Sequence, residues 1–298
     1  MKLALHSRKL EKERSGFLIN AIKEILNRKE FELMISDGLA LYLGNIDPEI
    51  GKSLPVFNST EHLRGVDFMI SIGGDGTLLE ALTYVQELEI PIVGVNAGRL
   101  GFLASIQREN FTHTLEALIN GFFSIEERTM LTLVSDREDL FGGIKFGLNE
   151  FTILKRDTSS MIVVHTYLNG EYLNSYWADG LIVSTPSGST GYSLSVGGPV
   201  VIPGSENFII SPVCPHNLNV RPLIISDKSV ISFEIEGRSK NFLVSLDSRS
   251  EAVDASIELA VKKCPFKAKL VNIGGGEKFL DTLRKKLHWG LDRRNPDE

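Results

Sequence analysis

Three glycines and an aspartate fall within five residues at Gly73-Gly74-Asp75-Gly76-Thr77, the stretch of the chain best suited to chemistry. Without side chains at 73, 74 and 76, backbone N–H groups can approach a ligand closely, and a turn of this kind at the start of a helix cradles phosphate oxygens. A carboxylate in contact with a phosphate is repelled by it. Asp75 is therefore better matched to accepting the proton of a hydroxyl that attacks the phosphate, the geometry of phosphoryl transfer. The same residues also fit a tight turn in which Asp75 caps the following helix.

A second segment runs from Ala178-Asp179-Gly180 through Ser184-Thr185-Pro186-Ser187-Gly188-Ser189-Thr190-Gly191-Tyr192-Ser193 and ends in Gly197-Gly198-Pro199. Small hydroxyl residues interleaved with glycine offer close backbone approach and several hydrogen-bonding groups, and Tyr192 can stack on a flat ring, which suits a nucleoside. A polar loop in a β domain has the same composition. Other motifs fail. Gly51-Lys52-Ser53 resembles the end of a Walker A loop, but Ile46 stands where glycine is required, so this stretch reads as a surface turn. Leu79 and Phe279 break the two potential GxGxxG patterns, which removes the main support for a Rossmann dehydrogenase. No HxxxH pair and no G-x-S-x-G occurs.

The elements around the glycine motif alternate. Phe17, Leu18, Ala21, Ile22, Ile25 and Leu26 mark one helical face, and Phe31–Ile35 reads as a strand. Beyond a Gly/Pro/Asn-containing stretch over 44–59, Val66–Ile72 reads as a buried strand, Leu78–Leu88 as a helix and Pro91–Val95 as the next strand. This βαβ unit predicts a parallel sheet with a right-handed crossover, and ligands bind outside the carboxyl ends of such strands. From about Thr129 the period becomes two. Met161, Val163, His165 and Tyr167 alternate with their neighbours up to the hairpin signal Asn169-Gly170, and similar alternation surrounds Phe233 and Leu259. After Gly274-Gly275-Gly276, the spacing of Phe279, Leu280, Leu283 and Leu287 predicts a helix able to return to the first domain.

The 298 residues allow roughly two domains. With 32 Lys+Arg against 38 Asp+Glu the net charge is −6, which excludes a broad basic surface for nucleic acid or anionic lipid, so an anionic ligand needs a local site. Cys214 and Cys264 are isolated and form neither a disulfide framework nor a thiolate zinc cluster. No apolar run reaches the ~18 residues of a membrane helix, and the first is interrupted by His6-Ser7-Arg8-Lys9. These features predict a cytoplasmic protein.

Taken together, Gly73–Thr77, Asn96-Ala97-Gly98-Arg99-Leu100-Gly101-Phe102-Leu103, Asn149-Glu150, the Asp179–Tyr192 segment, Cys214-Pro215-His216 with Arg221-Pro222, and the closing Leu283–Leu287 helix resemble the NAD kinase family over most of the chain. GGDGT alone also occurs in diacylglycerol and sphingosine-type lipid kinases, and phosphofructokinases carry a close variant; the ordered set is the specific part. The resemblance implies an α/β plus β fold. In it an N-terminal parallel α/β nucleotide-binding domain (1–125, joined by the helix 277–298) precedes a C-terminal mostly antiparallel β domain (126–276). It further implies a site between the domains at which ATP, with Mg²⁺ or another divalent cation, phosphorylates the adenosine 2′-hydroxyl of NAD. By analogy Asp75 is the proton acceptor, Gly74, Gly76 and Thr77 lie near the phosphates, and Phe102, Asn149, Glu150, Asp179, Ser187, Thr190, Gly191 and Tyr192 line the dinucleotide site.

Two departures from the family pattern stand out. Leu246-Asp247-Ser248-Arg249 replaces the usual Asp-Gly-Gln, making Arg249 a candidate to hydrogen-bond the ligand or pair a phosphate, and Trp177 and Ser160 stand where many relatives have basic residues. The resemblance also implies a homodimer or homotetramer built through the β domains. The alternatives are a lipid kinase with the same phosphate loop and a non-catalytic nucleotide sensor.

Overall fold

The computed structural model describes residues 1–10, 12–98, 101–156, 161–238, 241–274 and 279–289. Arg99, Leu100, Ser160, Gly275, Gly276 and, from the expected C-terminal helix, 277–278 and 290–298 lie outside the described residues. The chain divides into two compact units, Met1–Glu127 with Lys269–Glu298, and Arg128–Ala268.

The first unit is built on β1 (Lys2–His6), α1 (Lys12–Leu26), β2 (Glu32–Ser36), α2 (Asp37–Ile46), α3 (Pro48–Ser53), β3 (Val56–Phe57), β4 (Phe68–Gly73), α4 (Asp75–Val85), β5 (Ile92–Asn96), β6 (Ile106–Gln107), α5 (Phe111–Asn120) and β7 (Phe123–Arg128). Every residue of β4 and β5 is buried, as expected of strands covered on both faces. β4 runs parallel to β5 and to β1, and β1 parallel to β2, so the expected βαβ unit and its parallel sheet are present. The strand order is β3-β2-β1-β4-β5. The chain therefore winds outwards in one direction from β1 and in the other from β4, and right-handed crossovers place α1 and α4 on opposite faces, whereas α5 packs on the α1 face, with the Phe17 and Phe111 rings 5.9 Å apart. Leu18, Ile22 and Ile25 of α1, Leu39 and Leu43 of α2, and Leu115 of α5 share one core with Leu3, Leu5, Ile70 and Val93. The buried Leu78, Ala81, Leu82 and Val85 of α4 lie outside that cluster, and Leu78 fills the space over Gly94, where a Cβ would come within 2.8 Å of its Cδ1.

The Gly/Pro/Asn-containing stretch 44–59 holds the end of α2, all of α3 and the short β3. Asp47 accepts from the Ile50 amide and Pro48 occupies the first turn, so this proline starts a helix rather than breaking one. Gly51-Lys52-Ser53 is consequently helical and not a turn. A Cβ on Gly51 would lie 2.7 Å from the Gly44 amide nitrogen, so α2 and α3 approach backbone to backbone.

The second unit contains β8 (Leu131–Ser135), β9 (Phe146–Gly147), β10 (Glu150–Lys155), β11 (Ile162–Leu168), β12 (Glu171–Ala178), β13 (Gly180–Ser184), the short α6 (Tyr192–Ser195), β14 (Asn207–Val213), β15 (Leu223–Ser226), β16 (Ile231–Glu236), β17 (Asn241–Leu246), β18 (Arg249–Asp254) and β19 (Leu259–Lys263). They form two six-stranded sheets, β15-β14-β13-β10-β17-β18 and β12-β11-β16-β19-β8-β9, and β10, β11, β13 and β17 pair antiparallel with their neighbours. One core joins them, with the rings of Phe151 in β10 and Phe233 in β16 5.9 Å apart. Asn169 and Gly170 both have positive φ, 54° and 84°, which is the two-residue hairpin their sequence predicts.

The chain then returns to the first unit. β20 (Ala268–Ile273) inserts between β5 and β7, parallel to β5, and α7 (Phe279–Leu287) follows. The Phe279 ring lies 6.1 Å from that of Phe102, and Lys286 Nζ is 4.9 Å from the Phe102 centroid, so the C-terminal helix packs back on this unit as expected. No described helix is long and apolar enough to cross a membrane. Replacing the fully buried Leu78 is expected to expose how α4 is seated: Leu78→Ala should lower unfolding free energy by about 2–5 kcal/mol in a urea titration.

Candidate active site

In the first unit the glycine motif joins β4 directly to α4. Gly73 is required by packing, because a Cβ there would stand 2.2 Å from Thr77 Oγ1. Gly74 is different. It caps α4 with extended backbone (φ −108°, ψ −172°) that other residues adopt, and a Cβ on it would meet no atom within 4 Å. No side chain caps this helix, and the Thr77 amide closes the turn on the Gly74 carbonyl at 3.0 Å, which leaves the amides before it without a side-chain acceptor at the positive end of the helix dipole. Space and uncapped donors together describe an anion seat.

Asp75 begins α4, and its carboxylate is turned to the loop after β5. Oδ2 accepts from the Phe102 amide at 2.8 Å, and Oδ1 from the Leu103 and Ala104 amides, both at 3.0 Å. A Cβ on Gly101 would collide with Asp75 Oδ1, so glycine at 101 lets the loop close on the carboxylate. Asp75, Gly74, Gly76, Thr77 and Phe102 are thus gathered at one end of the first unit. Phe102 is half-buried between Lys286 and Phe279.

In the second unit the key group is one that the sequence reading passed over in favour of its neighbour. Asp247 lies at the β17–β18 turn with φ 52° and accepts from the Leu148, Asn149 and Glu150 amides at 2.9, 2.8 and 3.2 Å. Burial raises its pKa while these three amides act to lower it. The Asn149 carbonyl accepts from the Thr185 amide at 2.9 Å, and Gly188 packs so tightly on Asn149 that a Cβ would lie 2.1 Å from that carbonyl oxygen. Ser187 Oγ accepts from the buried Arg128 at 3.2 Å, and Thr190 Oγ1 donates to the Ser187 carbonyl at 3.3 Å. A Cβ on Gly191 would lie 2.8 Å from Glu150 Oε2, and the Tyr192 amide hydrogen-bonds the Glu150 carboxyl. The structure therefore brings Asn149, Glu150, Ser187, Thr190, Gly191 and Tyr192 into one constellation. Burial, and after it the Asp247 carboxylate, pushes Glu150 up to about 8. At neutral pH its carboxyl is mostly protonated and can donate as well as accept.

Two expected site residues stand apart from that constellation. Asp179 precedes β13 whereas Thr185 follows it, which separates them by roughly 20 Å at the rise of a strand. Asp179 pairs with Lys155 at 2.6 Å beside a cavity of about 780 Å³ that is also lined by Trp177 and His216. Arg249 turns away from open space. Its Nη1 and Nη2 each donate at 2.5 Å, to the Ile144 and Phe146 carbonyls, and its guanidinium lies 5.8 and 5.9 Å from the Phe141 and Phe146 rings.

The sequence profile described as ATP-NAD kinase N-terminal domain matches residues 16–123, and that of the ATP-NAD kinase C-terminal domain matches 148–273. An NAD kinase of Cytophaga hutchinsonii is 51% identical over 295 residues, covering 99% of this chain and all of the relative. The chain belongs to the NAD kinase family. Among solved structures, an NAD kinase from Archaeoglobus fulgidus in complex with ATP aligns with TM-score 0.71 at 28% identity, over 97% of this chain and 98% of that one. A yeast NADH kinase complexed with NADH aligns with TM-score 0.84 over 98% and 89%, and at 20% identity that likeness concerns the fold. Neither a lipid kinase nor a catalytically silent sensor finds support in these comparisons. The NAD kinase fold also shows which groups the sequence left unmarked: Asp247 and Arg128 shape the second unit's constellation from about 100 and 60 residues away in the chain.

The Glu150 proton has a stability consequence. The folded chain keeps it up to about pH 8 while the unfolded chain releases it near 4.5, so this group lowers unfolding free energy as pH rises through that interval. Urea midpoints measured at pH 5 and pH 8 should fall less for Glu150→Gln than for the unmodified chain.

Proposed function

We propose that this NAD kinase transfers the γ-phosphoryl group of ATP to the 2′-hydroxyl of the adenosine ribose of NAD, giving NADP and ADP. The observation that carries the assignment of roles is the state of Asp75. A carboxylate offers about four lone-pair sites, and three are taken by the amides of 102–104, two on Oδ1 and one on Oδ2. Oδ2 retains one acceptor site, on a group held rigidly by its other bonds and next to an open anion seat. That site accepts the 2′-hydroxyl proton as the ribose oxygen bonds to the γ-phosphorus and the bond from that phosphorus to the bridging oxygen of ADP breaks. Most of the rate enhancement in such a loose transition state comes from alignment and charge stabilisation, with base catalysis adding about 10²- to 10⁴-fold.

The amides at Gly74 and Gly76 hold donor phosphates, with the Thr77 side chain beside them. Phe102, Asn149, Glu150, Ser187, Thr190, Gly191 and Tyr192 contact the dinucleotide, and Arg249 acts indirectly by bracing the carbonyls of 144 and 146 close to Asp247. A divalent ion such as Mg²⁺ would be carried on the triphosphate, with Asp75 the carboxylate nearest its phosphates. Such an ion neutralises charge on the phosphate oxygens. A homodimer or homotetramer is supported by Asp179: placed roughly 20 Å along β13 from Thr185, it serves a dinucleotide more readily on another copy than on its own. The isolated cysteines and ordinary charge support a cytoplasmic location.

Purified protein given NAD, ATP and Mg²⁺ should form NADP, read by an NADP-specific dehydrogenase; absence of product would overturn the proposal. Asp75→Asn should lower kcat by at least about 100-fold with a smaller change in KM for NAD, and near-normal turnover would remove Asp75 from the proton transfer. Gly74→Ala, which meets no protein atom, should keep the melting temperature while raising KM for ATP roughly tenfold.

A further inference from the structure

The sheet changes winding direction between β1 and β4, and the β1 side of this switch point carries its own cluster. The buried His6 places Nδ1 2.9 Å from Ser36 Oγ and Nε2 3.8 Å from Glu80 Oε2. Arg8 Nε donates to the same Glu80 oxygen. The nearby His6 and then the Arg8 contact hold Glu80 down at about 2, so it is ionised at any working pH and keeps Arg8 paired. The rest of the guanidinium faces the glycine motif, for a Cβ on Gly76 would lie 3.4 Å from Arg8 Nη1. With Nε–H given to Glu80, the two Nη groups form the planar fork that binds phosphate oxygens in pairs.

A cavity of about 690 Å³ extends from Arg8 to α2, lined also by Gly38, Leu41, Tyr42, Asn45 and Ile46. Its size is that of a small-molecule site. Tyr42 is fixed by donating to the Leu10 carbonyl at 3.1 Å. Asn45 gives an N–H to the Leu41 carbonyl at 2.9 Å and keeps its own carbonyl oxygen as an acceptor, while Leu41 and Ile46 leave aliphatic surface exposed. An aromatic ring, aliphatic walls and an amide oxygen suit a purine with an exocyclic amino group. The cavity and the glycine motif meet at Arg8.

We propose that this corner of the first unit is the donor nucleotide subsite: Arg8, aimed by Glu80, pairs the phosphates seated on Gly74–Thr77, and the cavity beside α2 takes the donor's nucleoside. This rests on the reading that the glycine motif binds donor phosphates. Glu80 is a positioning residue. Arg8 supplies the cation that an acidic chain must place locally when both substrates are anions.

The test is steady-state NADP formation with KM for ATP and for NAD, and the inhibition constant of tripolyphosphate against ATP. Arg8→Gln should raise KM for ATP and the tripolyphosphate constant about tenfold, leaving KM for NAD within about twofold. Gly38→Phe fills the cavity from an exposed position where a Cβ meets no atom within 4 Å, and should raise KM for ATP severalfold while leaving tripolyphosphate inhibition unchanged. A merely structural ion pair predicts that Arg8→Gln moves both KM values together or neither, and either result overturns the proposal, as does an unchanged KM for ATP in Gly38→Phe. If Arg8→Gln does not fold, Arg8→Lys keeps the charge, loses the fork and is read in the same way. Weakened tripolyphosphate inhibition in Gly74→Ala but not in Arg8→Gln rejects the Arg8 subsite alone. Unchanged inhibition in both rejects the phosphate-loop reading beneath it.

Discussion

A carboxylate that accepts three consecutive backbone amides is the interaction on which both candidate half-sites depend. Asp75 does this for 102–104 and Asp247 for 148–150. In each case a loop without regular hydrogen bonding acquires a fixed curvature from one side chain, and the loop carries residues assigned to the ligand, Phe102 in one and Asn149 with Glu150 in the other. The alternative is costly, since an amide left unsatisfied where water cannot reach loses about 1–3 kcal/mol. Each aspartate therefore has an architectural part that precedes any chemistry. For Asp75 the two parts are compatible because loop binding leaves one lone pair of Oδ2 unused.

The charge pattern follows from the same economy of polar groups. Lys155 is occupied by Asp179 and Lys263 by the fully buried Asp227, while Arg249 braces carbonyls and the buried Arg128 holds Ser187. These cations are engaged inside the protein. A chain with net charge −6 that handles anions must therefore rely on oriented amides and on few outward-facing positive groups. Short-range recognition of this kind is less sensitive to ionic strength than a diffuse basic surface.

What could be read from the sequence was what local order determines. The apolar run at 68–72, the helix after the glycine motif and the Asn169-Gly170 hairpin each follow from neighbours in the chain, and all are present. α3 was missed because Gly51 and Pro48 look like breakers, although Asp47-Pro48 is a helix start and Gly51 serves contact with Gly44. Asp247 and Arg8 were missed for a different reason: their partners lie 97 to 99 and 72 residues away, and nothing nearby signals them. Arg249 drew attention as a departure from the family pattern, yet its fork is spent on carbonyls more than 100 residues upstream. Asp179 was legible as a motif member, but contiguity in sequence is not proximity when the intervening residues form an extended strand.

The place of β20 has a consequence for how the molecule is made. β20 lies inside the first sheet, between β5 and β7, yet it follows the whole of the second unit in the chain. On the ribosome, β1 to β7 emerge long before the strand that completes their sheet, whereas Arg128–Ala268 emerges as one uninterrupted stretch. The β sandwich can thus close during synthesis, while the sheet that carries the glycine motif stays incomplete until Leu270 is available to lie beside Ile92. Joining strands so distant in sequence adds only a slowly growing entropic cost, but it orders events in time. The half bearing the phosphate seat is begun first and completed last.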